Sequence, residues 1–251
     1  MLHDPAHPTH RRTWLLAEGG RRTLARFRAE LATVPAPAWH RWLWTVAISL
    51  AVGAAASLAL CQAVRWMDGT GRLAWEAGFL RRVEAGPMSF SSALWAESPG
   101  NSIFMIPVVI AAALLAVWLG RPVLAGAILS SFFVLDLLVG VGWLTWSRAR
   151  PHLIAGGIAA PGLHSFPSGH LSQVVSAYGF FIFLWVRSSR SAAERGLAVL
   201  LGVGMAVVVG WARLRLGAHW PSDIAAGALL GAFWLAASIA ALRRAEALGA
   251  R

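Results

Sequence analysis

Lysine is absent from the 251-residue chain, cysteine occurs once, and charged residues make up only 13%. The lone Cys61 lies in an apolar run, which excludes an intrachain disulfide and makes a cysteine-based metal site unexpected. Scarce charge, 57% hydrophobic residues and a mean hydropathy of +0.61 argue against an ordinary soluble domain, whose single core would not absorb that much apolar surface. With no lysine, all 22 basic residues are arginine and the formal charge of +11 rests on them. In a soluble chain that charge would suggest nucleic acid. Here the arginines cluster at the ends of apolar runs, as orientation signals and contacts to anionic headgroups do, so membrane lipids and not nucleic acid are the expected partners. The chain has no internal repeat and no low-complexity tract.

A bilayer-crossing helix needs about 20 mostly apolar residues. Six stretches qualify: residues 42–64, 103–120, 123–144, 171–187, 197–211 and 224–242. The fifth is short and glycine-rich, and five spans is the alternative count. The first begins too deep and runs too long for a cleavable signal peptide. With the N-terminus inside, 14 of the 22 arginines fall on the cytoplasmic side, so both termini are expected in the cytoplasm. The expected organisation is an all-α, six-span membrane bundle over residues 42–251. A basic leader, residues 1–41, precedes it and reads either as an amphipathic helix on the inner leaflet or as a loose tail. In the long connection 65–100, tryptophans and phenylalanines among polar residues suit the membrane interface, with a short helix over about 71–83.

On this topology three polar clusters share the outer face: SRARP (147–151), SFPSGH (165–170) and ARLRLGAHWPSD (212–223). Ser168 can cap the fourth span and leave the amides of Gly169 and His170 as donors at a positive helix end. Arg150 and Arg213 offer planar forks that match phosphate oxygens. His219 and Asp223, four apart at the start of the last span, pair an imidazole with a carboxylate that can fix its tautomer. His170 can protonate a leaving oxygen and then activate water. The three clusters together read as phosphoryl transfer through a histidine nucleophile. Asp136, mid-span and about 20 Å from Arg150 if helical, is expected to make an interhelical hydrogen bond, and His152 and His164 to be loop residues.

PSGH followed by Arg213, His219 and Asp223 resembles the type 2 phosphatidic acid phosphatases, integral-membrane lipid phosphatases whose motifs are KxxxxxxRP, PSGH and SRxxxxxHxxxD. The match spans about residues 143–227, and the six-span plan extends it from residue 42. The resemblance implies His219 as nucleophile, Asp223 as its partner and His170 as general acid. It implies Arg150, Arg213, Ser168 and Gly169 around the phosphoryl group, and neither metal nor other cofactor. Two departures stand out: Trp143 occupies the first-motif lysine position, and Ala212 the serine before Arg213. Either Arg148 or Arg215 replaces the lost cation, or the site handles its anion with less charge. The expected function is removal of the terminal phosphate from a lipid phosphate or diphosphate, of the phosphatidate, phosphatidylglycerophosphate, undecaprenyl diphosphate or lipid A type, at the outer face of a bacterial inner membrane. A lipid phosphotransferase and a catalytically weak lipid-phosphate binder are the alternatives.

Overall fold

The computed structural model describes residues 8–151, 153, 154 and 164–249. His152 lies outside them. The described chain is a helical bundle. Helix α1 (Pro8–Thr33) covers much of the basic leader, and α2 (Ala36–Gly69) follows after a two-residue break, with proline in its first turn as helix starts favour. Helices α3 (Trp75–Glu84) and α4 (Phe90–Glu97) occupy the long connection. Helix α5 (Ser102–Trp118), α6 (Pro122–Thr145), α7 (Gly169–Ser188), α8 (Ala192–Arg215) and α9 (Pro221–Glu246) complete the fold. Among the described residues six runs are long and apolar enough to cross a membrane; five of the expected spans lie within them, and the second, expected over 103–120, ends at Trp118.

The second of these runs differs from expectation. It starts at Phe90, well before residue 103, because α4 and α5 join through a single tight turn at Ser98–Gly100. Ser89 caps α4, its hydroxyl accepting from the Ser92 amide at 3.0 Å. The apolar pattern of α4 is broken by two serines and Glu97, so hydropathy alone places it in the loop.

Large apolar side chains such as Leu114, Leu144, Leu200 and Val207 lie exposed around the bundle, as hydrocarbon contact requires. Helix α9 packs through small residues: a Cβ at Gly231 would stand 2.5 Å from the Ser172 carbonyl oxygen of α7. Polar groups inside the bundle are cross-linked. Both α6 and α7 widen into a π-helical turn, at Ser130–Val134 and Val174–Tyr178. The Ser176 hydroxyl donates to the Ser131 carbonyl and the Trp234 indole to the Ser130 carbonyl, each at 2.7 Å, which satisfies backbone that water cannot reach. Asp136 makes the expected interhelical bond, accepting from the Gln173 side chain at 2.6 Å.

The ends of the bundle differ. At one end α1 packs over the α5–α6 turn, with Glu30 against Gly120, and Arg187 bridges to Glu246 at 3.0 Å. At the other end the C-terminus of α6, the N-terminus of α7, the C-terminus of α8 and the N-terminus of α9 meet. The three polar clusters lie on these four ends.

Candidate active site

Helix α9 begins at Pro221, preceded by Trp220, whose backbone amide donates to Asp223 Oδ2 at 2.8 Å. This local closure buries Asp223 completely and sets His219 just ahead of the helix, 2% exposed. The imidazole is held differently from the expectation. His219 Nδ1 lies 2.8 Å from the Ser165 carbonyl oxygen and 3.7 Å from Asp223 Oδ2, a distance of ion pairing rather than hydrogen bonding. A carbonyl only accepts, so Nδ1 carries the proton and Nε2 keeps its lone pair. The SFPSGH segment therefore fixes the tautomer, while Asp223 supplies negative charge behind the ring. Burial pulls the His219 pKa down to about 4, with Asp223 opposing and Arg213 and Arg150 adding to the fall, so the ring is neutral at pH 7.

Asp223 is itself held from several sides. It accepts from the Ser165 hydroxyl and, through Oδ1, from Arg148 Nη1 at 2.6 Å. Arg148, weighed in the sequence as a phosphate ligand, has its guanidinium engaged in this scaffold. Its Nη2 donates to Glu76 at 2.8 Å, its Nη1 also to Ser222 at 2.7 Å, and its Cζ lies 5.1 Å from the Trp146 ring and 5.4 Å from the Trp220 ring. Glu76, 1% exposed on α3, also accepts from the Ser222 amide at 2.6 Å. Burial works against the Arg148 charge, but Asp223 and Glu76 outweigh it and raise its pKa. The paired carboxylates orient this guanidinium away from a phosphate role and give it a structural one. Arg215, the other candidate substitute, donates through Nε to the Met88 carbonyl at 2.8 Å and anchors the α3–α4 turn.

Arg150 and Arg213 stay close enough to His219 and to each other to interact electrostatically. Arg150 donates to the Ala218 carbonyl at 2.6 Å, which draws it beside the residue preceding His219. Its pKa is lowered by burial and by Arg213. Arg213, 5% exposed, pairs with Glu97, and its Nε has no hydrogen-bond partner among the described residues. Ser168 caps α7, its hydroxyl 3.5 Å from the Leu171 amide and its own amide donating to the Asp223 carbonyl at 3.1 Å, so the PSGH turn and the start of α9 are joined directly. Gly169 opens α7, and the Trp143 indole packs against it while donating to the Pro167 carbonyl at 3.1 Å. Where the first motif has lysine, this chain thus has a ring braced on the turn. His170 Nε2 lies 3.2 Å from Asn101 Oδ1. His164 lies in the loop ahead of α7, as expected.

Sequence reasoning brought together His219, Asp223, His170, Arg150 and Arg213, and the structure places them at one end of the bundle. It missed Glu76, Glu97, Asn101 and the Ser165 carbonyl. A signal for the acids existed: the chain has only 11 Asp and Glu, and an acid near the apolar interior has to find a cation.

Beside the site a cavity of about 510 Å³ runs between α7, α8 and α9. Leu171, Leu214 and Ile224, at its near end, are chain neighbours of His170, Arg213 and Asp223, and its far end reaches Ile182, Val199 and Leu235. Along α8 that is roughly 22 Å, more than half the hydrocarbon thickness.

Residues 122–246, which hold α6 to α9, match the family profile described as PAP2 superfamily. The fold is similar to the crystal structure of a transmembrane PAP2 type phosphatidylglycerolphosphate phosphatase from Bacillus subtilis, with a TM-score of 0.61 at 20% identity over 77% of this chain and 94% of that one. A Klebsiella pneumoniae protein described as an uncharacterized 22.5 kDa protein in the cps region is 47% identical over 66 residues, 26% of this chain and 31% of that protein. The chain thus matches less than a third of that relative's length. With its six apolar helices and three motif clusters gathered at one end, the chain is a multi-pass membrane protein that belongs to the PAP2 superfamily.

Proposed function

We propose that the protein is a lipid phosphatase that removes the terminal phosphate of a membrane lipid phosphate or diphosphate through a phosphohistidine on His219. The observation that carries this reading is the buried, neutral His219, its Nδ1 bound to a carbonyl and its Nε2 lone pair left beside Arg150 and Arg213. Nε2 attacks the terminal phosphorus, its bond to the leaving oxygen breaks (the lipid oxygen of a monophosphate, the bridging oxygen of a diphosphate), and His170 gives that oxygen a proton. His170 then takes a proton from water, the resulting hydroxide attacks the phosphohistidine, and phosphate leaves as the His219 lone pair returns. Arg150, Arg213 and the start of α7 at Ser168 and Gly169 hold the equatorial oxygens where charge develops. Asp223 stabilises the charge that His219 gains, and the Glu76–Arg148 pair keeps Asp223 in place.

The lipid class rests on the cavity between α7, α8 and α9, which gives a hydrocarbon chain a path whose near end is lined by the chain neighbours of His170, Arg213 and Asp223. The excess of arginine on the α1 side of the bundle supports cytoplasmic termini and a site on the outer face of a bacterial inner membrane. No protein group in this mechanism needs a metal or other cofactor.

The test is phosphate release by detergent-purified protein from phosphatidate, phosphatidylglycerophosphate, undecaprenyl diphosphate and lipid A, with EDTA present and beside His219→Ala. Release that survives EDTA and falls by about 10³-fold or more in the variant is the expected result. Loss of activity with EDTA would sink the metal-free mechanism, and transfer of label to a second lipid rather than to water would make the protein a phosphotransferase. Phosphate binding without release from any of the four would make it a silent binder.

A further inference from the structure

The segment between α4 and α5 is applied to the site. Glu97, the last residue of α4, pairs through Oε2 with Nη1 of Arg213, and both side chains are more than nine-tenths buried. Four residues on, Asn101 faces His170. The turn between them is tied down by the Tyr178 hydroxyl, which donates to the Pro99 carbonyl at 2.9 Å, and a Cβ at Gly100 would stand 3.4 Å from His170 Cδ2. None of these residues belongs to the three motifs.

Resting on the reading of this site as a phosphate site, we propose that Glu97 is a specificity-determining residue: its carboxylate engages Arg213 as an internal anion and lowers the site's affinity for free, multiply charged phosphate. A guanidinium fork suits oxyanions of carboxylate or phosphate alike, so Glu97 and a phosphoryl group compete for the same donors. Arg213 Nε, buried and without a partner among the described residues, is a donor that Glu97 leaves for the incoming oxygen. Among the described residues Arg148, Arg150 and Arg213 are matched by Glu76, Glu97 and Asp223, the half-exposed Asp68 lies 3.5 Å from Arg148, and Trp143 adds no cation where the motif has lysine. Desolvating a dianion into a neutral, buried cradle gains little. Affinity for substrate then has to come from its hydrocarbon in the cavity, and bare phosphate, which has no chain, is released readily.

The experiment is a titration of the full chain in detergent with inorganic phosphate, read as the rise in thermal unfolding midpoint and, in parallel, as inhibition of lipid dephosphorylation. Glu97→Gln keeps the hydrogen-bonding shape and removes the charge. It is expected to half-saturate at roughly ten-fold less phosphate, with the inhibition constant falling by the same factor. Glu97→Asp keeps the charge but withdraws it from Arg213, and is expected to fall between. A purely structural Glu97 would lower the unfolding midpoint and leave the phosphate titration where it was, which overturns the proposal. Unchanged phosphate binding in Glu97→Asp overturns it as well if the Gln variant does not fold. Tightened phosphate binding in a protein that turns over no lipid would support the Glu97 assignment and overturn only the hydrolase reading.

Discussion

Two regions build the same site by different means. Helices α6 to α9 carry the motifs and contribute His219, His170, Arg150 and Arg213, while α2 to α5 carry none and contribute the carboxylates that engage Arg148 and Arg213. In the first region each residue type suits the phosphoryl chemistry proposed for the site. In the second the requirement is only that a buried guanidinium meet a buried acid, and α3 and α4 place Glu76 and Glu97 at opposite sides of the site to do so. The lesson is that a motif names the groups that face a substrate, whereas the groups that neutralise and aim them come from wherever the fold brings an acid.

Glu76→Ala breaks this comparison most severely. It leaves Arg148 with one carboxylate fewer and the Ser222 amide without its acceptor, in a place that water barely reaches. A loss of about 3–5 kcal/mol is expected from thermal or denaturant unfolding in detergent, with turnover reduced because Asp223 loses its brace. If the variant were as stable as the parent, the motif-free region would be packing and nothing more.

The pH dependence of stability tests the motif-bearing side. The folded His219 pKa of about 4 lies below the ordinary 6.5, so between these values the unfolded chain binds a proton that the folded one refuses. Stability is therefore full above pH 6.5 and is lost as pH falls towards 4, by about 3 kcal/mol from this group. Unfolding midpoints measured over that window in the parent and in His219→Gln should diverge at neutral pH and converge at acid. Parallel curves would remove the buried, neutral ring from the account. For the same reason kcat/KM should keep its neutral nucleophile down to about pH 4, with any acid limb above that owed to another group.

Gly231→Ala probes packing within the motif-bearing helices. The new Cβ meets the Ser172 carbonyl oxygen at 2.5 Å and Val175 Cβ at 2.9 Å, and backbone on α7 cannot swing aside. A cost of about 1–3 kcal/mol is expected, and activity should fall with it because α7 presents Ser168 and His170. Ser89→Ala is the mildest change. It removes the cap of α4, is expected to cost about 1 kcal/mol, and loosens the element that delivers Glu97 without touching a motif. A shift in phosphate affinity in that variant, read by the same titration, would show that the α4 start governs where Glu97 sits.

Much of this protein was legible as sequence, and the reasons are particular. The six spans could be read because crossing hydrocarbon demands long apolar runs, and the boundary errors fall where that demand relaxes, as in α4 with its serines and Glu97. Asp136 was readable because an acid in mid-span has to find a partner, though the identity of Gln173 was not. That His219, His170, Arg150 and Arg213 would gather at one end of the bundle was readable because the alternation of spans puts their three motifs on the same side. The holder of the His219 ring was misread: four-residue spacing pointed to Asp223, but the capping geometry at Trp220 turns that carboxylate towards its own backbone and leaves Nδ1 to the Ser165 carbonyl. Backbone carbonyls have no letter in a sequence, so no motif could have shown it.

The amino-acid sequence by itself determined that the chain lives in a membrane, how many times its apolar runs can cross, and which side chains are fit to handle phosphate. Those follow from properties local to a stretch of chain: transfer free energy, helix start signals and functional-group chemistry. Only the tertiary structure decided the division of labour among the arginines, with Arg148 bound into a scaffold by Glu76 and Asp223 and Arg213 matched to Glu97. Those pairs join residues 72, 75 and 116 positions apart. Charges find one another through space once the helices have packed, and desolvation makes such pairing obligatory only after burial has occurred.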